Sequence, residues 1–231
     1  MAEHDLKSQQ EELIFHLLHP GDIGLNKAPD WLQAIPTRPL KLIADLALKK
    51  RMSKINSVFP TTFDHLEDLL KPMEIEFAST CVQTEIWKKT NALQFLKFLG
   101  DLANDRRSAP PYIYDLAQLE YAIWQVAQEG ASEDRQGSEN GILKLNPLVE
   151  LISCEFNVRS LVDGSIKPGN PTRKKTLLAV APVKLDGTPT VTELPADIFA
   201  WLKHLKSSRS SNIAKSEINQ LLALDIVEFS A

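Results

Sequence analysis

Between residues 110 and 128 the chain carries its strongest helical pattern. Pro110 and Pro111 pre-set the backbone for a helix start. Tyr112, Leu116, Leu119, Ile123 and Val126 then recur at helical spacing, and Ile113, Ala117, Trp124 and Ala127 form the row beside them. Two adjacent apolar rows make a face wider than a surface helix presents, which predicts a central helix touched by several others. Glu120 sits inside the second row, where a carboxylate has to be paired, hydrogen-bonded or at the edge of a contact.

The same pattern marks helices earlier in the chain. Residues 6–18 read as a first helix, with Leu6, Leu13, Ile14, Leu17 and Leu18 apolar, stopped at His19, Pro20 and Gly21. Residues 22–39 are broken by Pro29, Pro36 and Pro39 and read as a loop anchored by Trp31 and Leu32. Residues 40–58 form a second helix, marked by Leu42, Ile43, Leu46, Ile55 and Val58 and ended by Phe59-Pro60. Thr61 and Thr62 can cap a short helix over 63–70, which Lys71-Pro72 closes. Residues 74–88, with Ile75, Phe77, Ala78, Val82, Ile86 and Trp87, predict a fourth helix. A fifth spans 91–102, with Leu93, Phe95, Leu96, Phe98 and Leu99. Aromatics at helical spacing read as core rather than as a stacking platform.

Residues 130–141 are polar, carry no apolar residue larger than alanine, and have glycines at both ends. They read as a linker. The pattern after it is that of strands. Residues 142–152 are apolar and partly alternating, and 156–162 continue in strand style. Residues 165–175 form a loop ending in Arg173, Lys174 and Lys175. Residues 177–185 read as a strand that Pro182 demotes toward a sheet edge. Asp186-Gly187 is a hairpin signal, and residues 190–194 return as the partner strand. Pro195 opens a helix over 196–205, residues 212–224 form a last one, and 226–229 end the chain as an extended segment. Strands followed by two helices is the order of a small winged-helix-like α+β domain. The fold class expected is therefore α+β: an all-α helical domain over 1–129, a linker over 130–141, and the winged-helix-like domain over 142–231.

Composition narrows the function classes. Of the 231 residues 43% are hydrophobic and 24% charged, ordinary for a soluble globular protein. A net charge of −4 argues against a general nucleic-acid or anionic-membrane surface. Two cysteines far apart, Cys81 and Cys154, make no disulfide framework and fit a reducing, cytoplasmic setting. The polar, acidic first residues do not form a signal peptide, and no apolar run approaches the roughly 18–20 residues a membrane span needs. His16 and His19 could share a helical face, but no further ligand completes a metal set. There is no glycine-rich phosphate loop, paired-cysteine zinc pattern, metalloprotease helix or nucleophile elbow. The expectation is a chain without catalytic residues and without a metal or cofactor of its own.

Two stretches resemble known families. The helix ending in Val58, Phe59 and Pro60, followed by Phe63 and Leu66, and the run Tyr114, Asp115, Leu116, Ala117, Gln118, Leu119, Glu120, Tyr121, Ala122 are similar to a bacterial helical domain long catalogued as DNA-binding. Its members accompany a barrel-fold, multinuclear iron-dependent oxidase. They typically show leucine-aspartate-leucine-alanine-arginine-leucine-glutamate-tryptophan at the second site. The match covers roughly residues 38–128. Many members carry Tyr-Arg-Asn-Asn early in the second helix, where this chain has Ile43, Ala44, Asp45 and Leu46. That departure points to the branch acting on ribosomally made peptide natural products, of methanobactin and thiaglutamate type. Thr192, Glu193, Leu194, Pro195 and Ala196 ahead of an apolar helix are similar to the strand-to-helix junction of PqqD-like modules, which bind a precursor peptide's leader by strand addition.

The resemblance implies a non-catalytic subunit. The helical domain would dock on the iron oxidase as a heterodimer, with Leu116, Glu120 and Trp124 at that interface, and the iron would belong to the partner. The second domain would hold the leader while the enzyme modifies a cysteine of the precursor. Leader-binding residues would be Thr190, Val191, Thr192, Glu193 and Leu194 of the strand, with Ile218 and Leu221 of the last helix. A proline at Thr192 would weaken that binding. The alternative is a winged-helix transcriptional regulator, disfavoured because the last helix offers only Lys215 as a cation.

Overall fold

The computed structural model describes residues 37–81, 86–105, 109–130, 142–164, 170–182, 189–205 and 213–230. The expected first helix, the linker, the Asp186-Gly187 turn and the turn at 207–211 lie outside them. Within the described residues the chain is a mixed α+β protein with seven helices and two small antiparallel sheets. It divides into two compact units, Met1–Pro111 and Tyr112–Ala231. The division falls ahead of the central helix, which belongs to the second unit.

The described residues of the first unit form three helices, α1 (Thr37–Asn56), α2 (Pro60–Thr80) and α3 (Lys88–Asp105). Pro39 lies in the first turn of α1, where a missing N–H costs nothing. The sequence pattern places a helix break at Lys71-Pro72. The structure instead runs α2 through Pro72 and interrupts it at Glu67, whose φ of 23° is non-helical. Pro72 can neither donate to the carbonyl four residues earlier nor avoid crowding it, so the kink falls a turn ahead of the proline. The helix ends at Thr80 rather than at 88, with the Cys81 N–H donating to the Phe77 carbonyl at 2.8 Å.

Phe95 of α3 is the hub of this unit's core. Its ring centroid lies 5.7 Å from Phe59, 5.5 Å from Phe63, 5.3 Å from Phe77 and 6.2 Å from Phe98, the separations favoured by tilted and edge-on aromatic pairs. Arg51 of α1 is buried beside them. Its guanidinium lies 4.3 Å from the Phe77 ring centre and donates to Asn91 Oδ1 at 2.9 Å, Gln94 Oε1 at 2.7 Å and the Cys81 carbonyl at 2.8 Å. One side chain thus ties α1 to α3 and to the end of α2. Burial holds its pKa down at about 10, offset in small part by Cys81. Not every apolar marker is core: Leu42, Ile43, Leu46, Ile75, Ile86, Trp87 and Leu93 are exposed.

The second unit is built on the sheet β2-β3-β4, formed by Glu150–Cys154, Thr176–Ala181 and Thr190–Glu193. Cross-strand pairs share a face. Ile152 with Leu178 and Cys154 with Thr176 lie on one face, and Leu151 with Ala179 and Ser153 with Leu177 on the other. The first face carries Glu150, whose Oε1 accepts from Gln125 Nε2 of α4 (Ile113–Gly130), and α4 packs on β2 and β3. The second face shares a core with α6 (Ala196–His204) and α7 (Lys215–Ala223), in which Ala179, Ala181, Leu194, Ile198, Phe199, Leu202, Leu221 and Ile226 are buried. With helices on both sides, β3 is apolar at every position after Thr176, without alternation.

Three expectations change here. Residues 159–162 form a short helix, α5 (Arg159–Val162), and not strand, because the Leu161 and Asp163 N–H groups close helical turns on the Val158 and Arg159 carbonyls, on the far side of the Glu155–Phe156 bend. The strand carrying Pro182 is the central strand of its sheet. It keeps an unbroken ladder by ending at Ala181, one residue before the proline. The extended C-terminal segment is β5 (Val227–Ser230), which pairs antiparallel with β1 (Ile142–Leu145) as a separate ribbon.

Two buried polar residues fix the joints of this unit. Asp115, in the first turn of α4, accepts from the Glu155 and Phe156 N–H groups at 2.7 and 3.0 Å. Asn146 joins the end of β1 to the turn before β5. Its N–H donates to the Ile226 carbonyl, its Nδ2 donates to the Asp225 carbonyl, and its Oδ1 accepts from the Leu148 N–H, each at 3.0 Å.

Candidate functional site: the free edge of β4

Among the described residues the strand order puts β4 at the edge of its sheet and leads it directly into α6. An edge strand has one row of backbone donors and acceptors without a neighbour in the sheet. The hydrogen-bond parity says which residues supply it. In an antiparallel pair both backbone groups of a residue point the same way, and bonded pairs alternate with non-bonded ones. The Leu194 N–H donates to the Leu177 carbonyl at 2.7 Å, one step beyond the paired Leu178 and Glu193. Bonded pairs therefore recur at Ala179–Thr192 and Ala181–Thr190. Thr190, Thr192 and Leu194 turn their backbone groups toward β3, and Val191 and Glu193 turn theirs outward.

This changes one expectation. Thr192 is not the position at which a proline would strip the free edge, because its N–H belongs to the β3 ladder. The open positions are Val191 and Glu193. Sequence alternation gives the side-chain faces correctly, with Leu194 buried in the α6–α7 core, but it carries no information on which way a backbone group bonds.

The surroundings of the edge are polar and charged. Lys174 Nζ lies 3.0 Å from Glu193 Oε1, with both side chains well exposed, and Arg173 lies 3.1 Å from Glu155 in the same manner. Two of the three basic residues of the preceding loop thus face acids of their own chain, and Lys175 is exposed. On α7, Ile218 is half-buried and open to a neighbour. Leu221 is buried in the core and has no surface to offer an incoming side chain. The residues expected on the docking face are placed differently as well. Leu116 is completely buried and Glu120 nearly so, inside the chain's own fold. Trp124 is partly exposed, with its ring 5.9 Å from Tyr121.

Burial dominates the two shifted acids at the sheet, Asp115 and Cys154. Burial raises the Asp115 carboxyl above its ordinary range even though two backbone N–H groups favour its charged form. Burial, and then the Asp115 charge, push the Cys154 thiol up to about 12, the direction opposite to that of an activated nucleophile. Among the described residues no three His, Cys, Asp or Glu side chains gather as metal ligands, and no helix is long and apolar enough to cross a membrane. Sequence reasoning missed the roles of Arg51, Asp115 and Asn146. The signal for Asp115 was an acid in the first turn of an otherwise apolar helix; the other two had none.

No protein-family profile and no curated protein sequence matches this chain.

Proposed function

We propose that this chain is the non-catalytic partner subunit of an iron-dependent oxidase that modifies a cysteine in a ribosomally made precursor peptide. Its second unit, read as a winged-helix-like peptide-recognition domain, holds the leader as an added strand beside β4. The observation that carries this reading is the open edge of β4, where Val191 and Glu193 present N–H and C=O groups outward in a strand that runs into α6. Main-chain pairing of this kind gives affinity without a deep pocket, and the half-buried Ile218 offers an apolar neighbour for an alternate side chain. The first unit serves as the docking domain. Its exposed Ile86, Trp87 and Leu93 are the sort of large apolar side chains that a partner covers. Holding the peptide on a docked subunit raises the effective concentration of its cysteine at the partner's iron. A DNA-reading role finds no comparable support, since Lys215 is the one cation of α7.

Co-expression tests the reading. The chain should co-purify with an iron-containing protein from its own genome neighbourhood. A synthetic leader from the precursor encoded there should bind the full chain in calorimetry and lose affinity on Glu193→Pro. Failure of both measurements refutes the proposal.

A further inference from the structure

Two segments of the first unit carry cations and no acids. Residues 46–63 and 86–100 hold seven lysines and arginines and no aspartate or glutamate, in a chain whose net charge is −4. The fold sets the two side by side. α1 packs on α3, and Lys54 Nζ of α1 donates to the Ile86 carbonyl at 2.8 Å. A carbonyl carries no net charge, so this bond fixes the ammonium beside Ile86 without neutralising it. Lys49 and Lys97 stand apart from this junction, each in a cleft that also holds acids, Asp45 and Glu74 in one and Glu76 and Asp101 in the other. Lys50 lies one turn before Lys54 on α1, and Lys88 and Lys89 follow Trp87 directly.

Two features of the junction are unfavourable in the isolated chain. Lys88 and Lys89 occupy the first turn of α3, where the helix dipole favours acids, and that turn has none. Ile86 and Trp87 are 69% and 68% exposed, and Leu93, one turn beyond Lys89 on the same face of α3, is 45% exposed. Large apolar side chains ringed by cations suit a protein contact, with an apolar centre that loses water and a charged rim that steers and orients. Tryptophan is among the side chains that anchor such contacts. A single-stranded nucleic acid would use the ring and the cations but leave the aliphatic Ile86 and Leu93 uncovered.

We infer that the surface built from Ile86, Trp87 and Leu93, with Lys50, Lys54 and Lys89 around it, binds an acidic protein face that has an apolar pocket for the Trp87 ring. The inference rests on the docking role proposed for the first unit and adds the chemistry of the face which that unit meets.

Trp87→Ala and the pair Lys50→Glu with Lys89→Glu test it in the full chain, with thermal melts to show that each variant folds. Glutamate at 89 also suits the start of α3, so the fold should not suffer. Against the iron protein that co-purifies, Trp87→Ala should raise Kd about tenfold or more. The charge reversal should slow association about tenfold at low salt and flatten its salt dependence. A complex that forms but keeps its affinity in Trp87→Ala, or its association rate in the charge-reversed variant, overturns the inference and leaves the docking role to another face. If no iron protein co-purifies, the docking role falls, and labelled poly-L-glutamate at low salt decides on the surface. Binding that the charge reversal weakens about tenfold upholds the acidic partner, whereas no binding, or equal binding by the variant, overturns it. Tighter binding of an oligothymidylate than of poly-L-glutamate, lost in Trp87→Ala, also overturns it and marks a nucleic-acid surface.

Discussion

Proline placed at Thr192 and, separately, at Glu193 should have very different consequences, although the residues are adjacent on one strand. Thr192→Pro removes the N–H donated to Ala179. Ala179 is fully buried, so its carbonyl finds no water in exchange. Leaving such an acceptor unpaired costs about 1–3 kcal/mol. In a chain of this size each kcal/mol moves the unfolding temperature by about 2–4 °C, so the second unit should melt about 2–12 °C lower. Glu193→Pro removes an N–H that already faces solvent. It also breaks the Lys174–Glu193 pair, an exposed contact whose loss costs about 0.2–1 kcal/mol. Its melting temperature should fall by at most about 4 °C. Thermal unfolding by circular dichroism, with Thr192→Ala as the control for the lost side chain, separates the two. Equal destabilisation by the two prolines would refute the parity, and with it the assignment of Val191 and Glu193 to the open edge.

Arg51→Leu should cost about 2–4 kcal/mol, read from the urea midpoint of the first unit, because Asn91 Oδ1, Gln94 Oε1 and the Cys81 carbonyl lose their shared donor. Arg51→Lys should recover less than half of that, since an ammonium cannot reach three acceptors spread around a planar fork. Asp115 is a buried acid whose folded pKa is raised, so the folded state holds its proton after the unfolded state has released it near pH 4. This group's contribution to stability therefore falls as pH rises between the unfolded and folded values. Asp115→Asn does not titrate, so its stability relative to the unsubstituted chain should improve from pH 4 to pH 7; unfolding curves at the two pH values check the sign. Iodoacetamide at pH 8 should label the partly exposed Cys81 and leave the buried Cys154 untouched until urea unfolds the chain, as mass spectrometry would show by one adduct and then two.

The mixed α+β class was legible because most of its elements are written in a local period. The double apolar row of α4, the phenylalanines of α2 and α3, and the return of the chain at 190–194 needed nothing beyond nearest neighbours. What failed were the terms set by distant partners. The kink of α2 at Glu67 follows from a proline five residues later, and a break assigned at the proline itself ignores which carbonyl it crowds. The edge position assigned to the strand before Pro182 assumed that the proline lies inside the ladder. A strand that stops one residue short can sit at the centre of its sheet. The β1–β5 ribbon joins segments more than 80 residues apart, Ile142 with Ser230 and Leu145 with Val227, and no local period reports such a pairing.

The same distinction explains the candidate site. The wide apolar face of α4 suggests a surplus for a docking partner, with Leu116, Glu120 and Trp124 at that interface. The sheet uses that face instead. β3 carries an unbroken apolar run from Leu177 to Ala181, the mark of a strand covered on both sides, and one of its covers is α4. Read together, the run in β3 and the double row in α4 account for each other, with Ile123 and Trp124 left partly exposed. The apolar residues that do remain open, Leu42, Leu46 and Ile75, look in sequence like any core-facing helical stripe. Periodicity shows that a face will be covered but not by what.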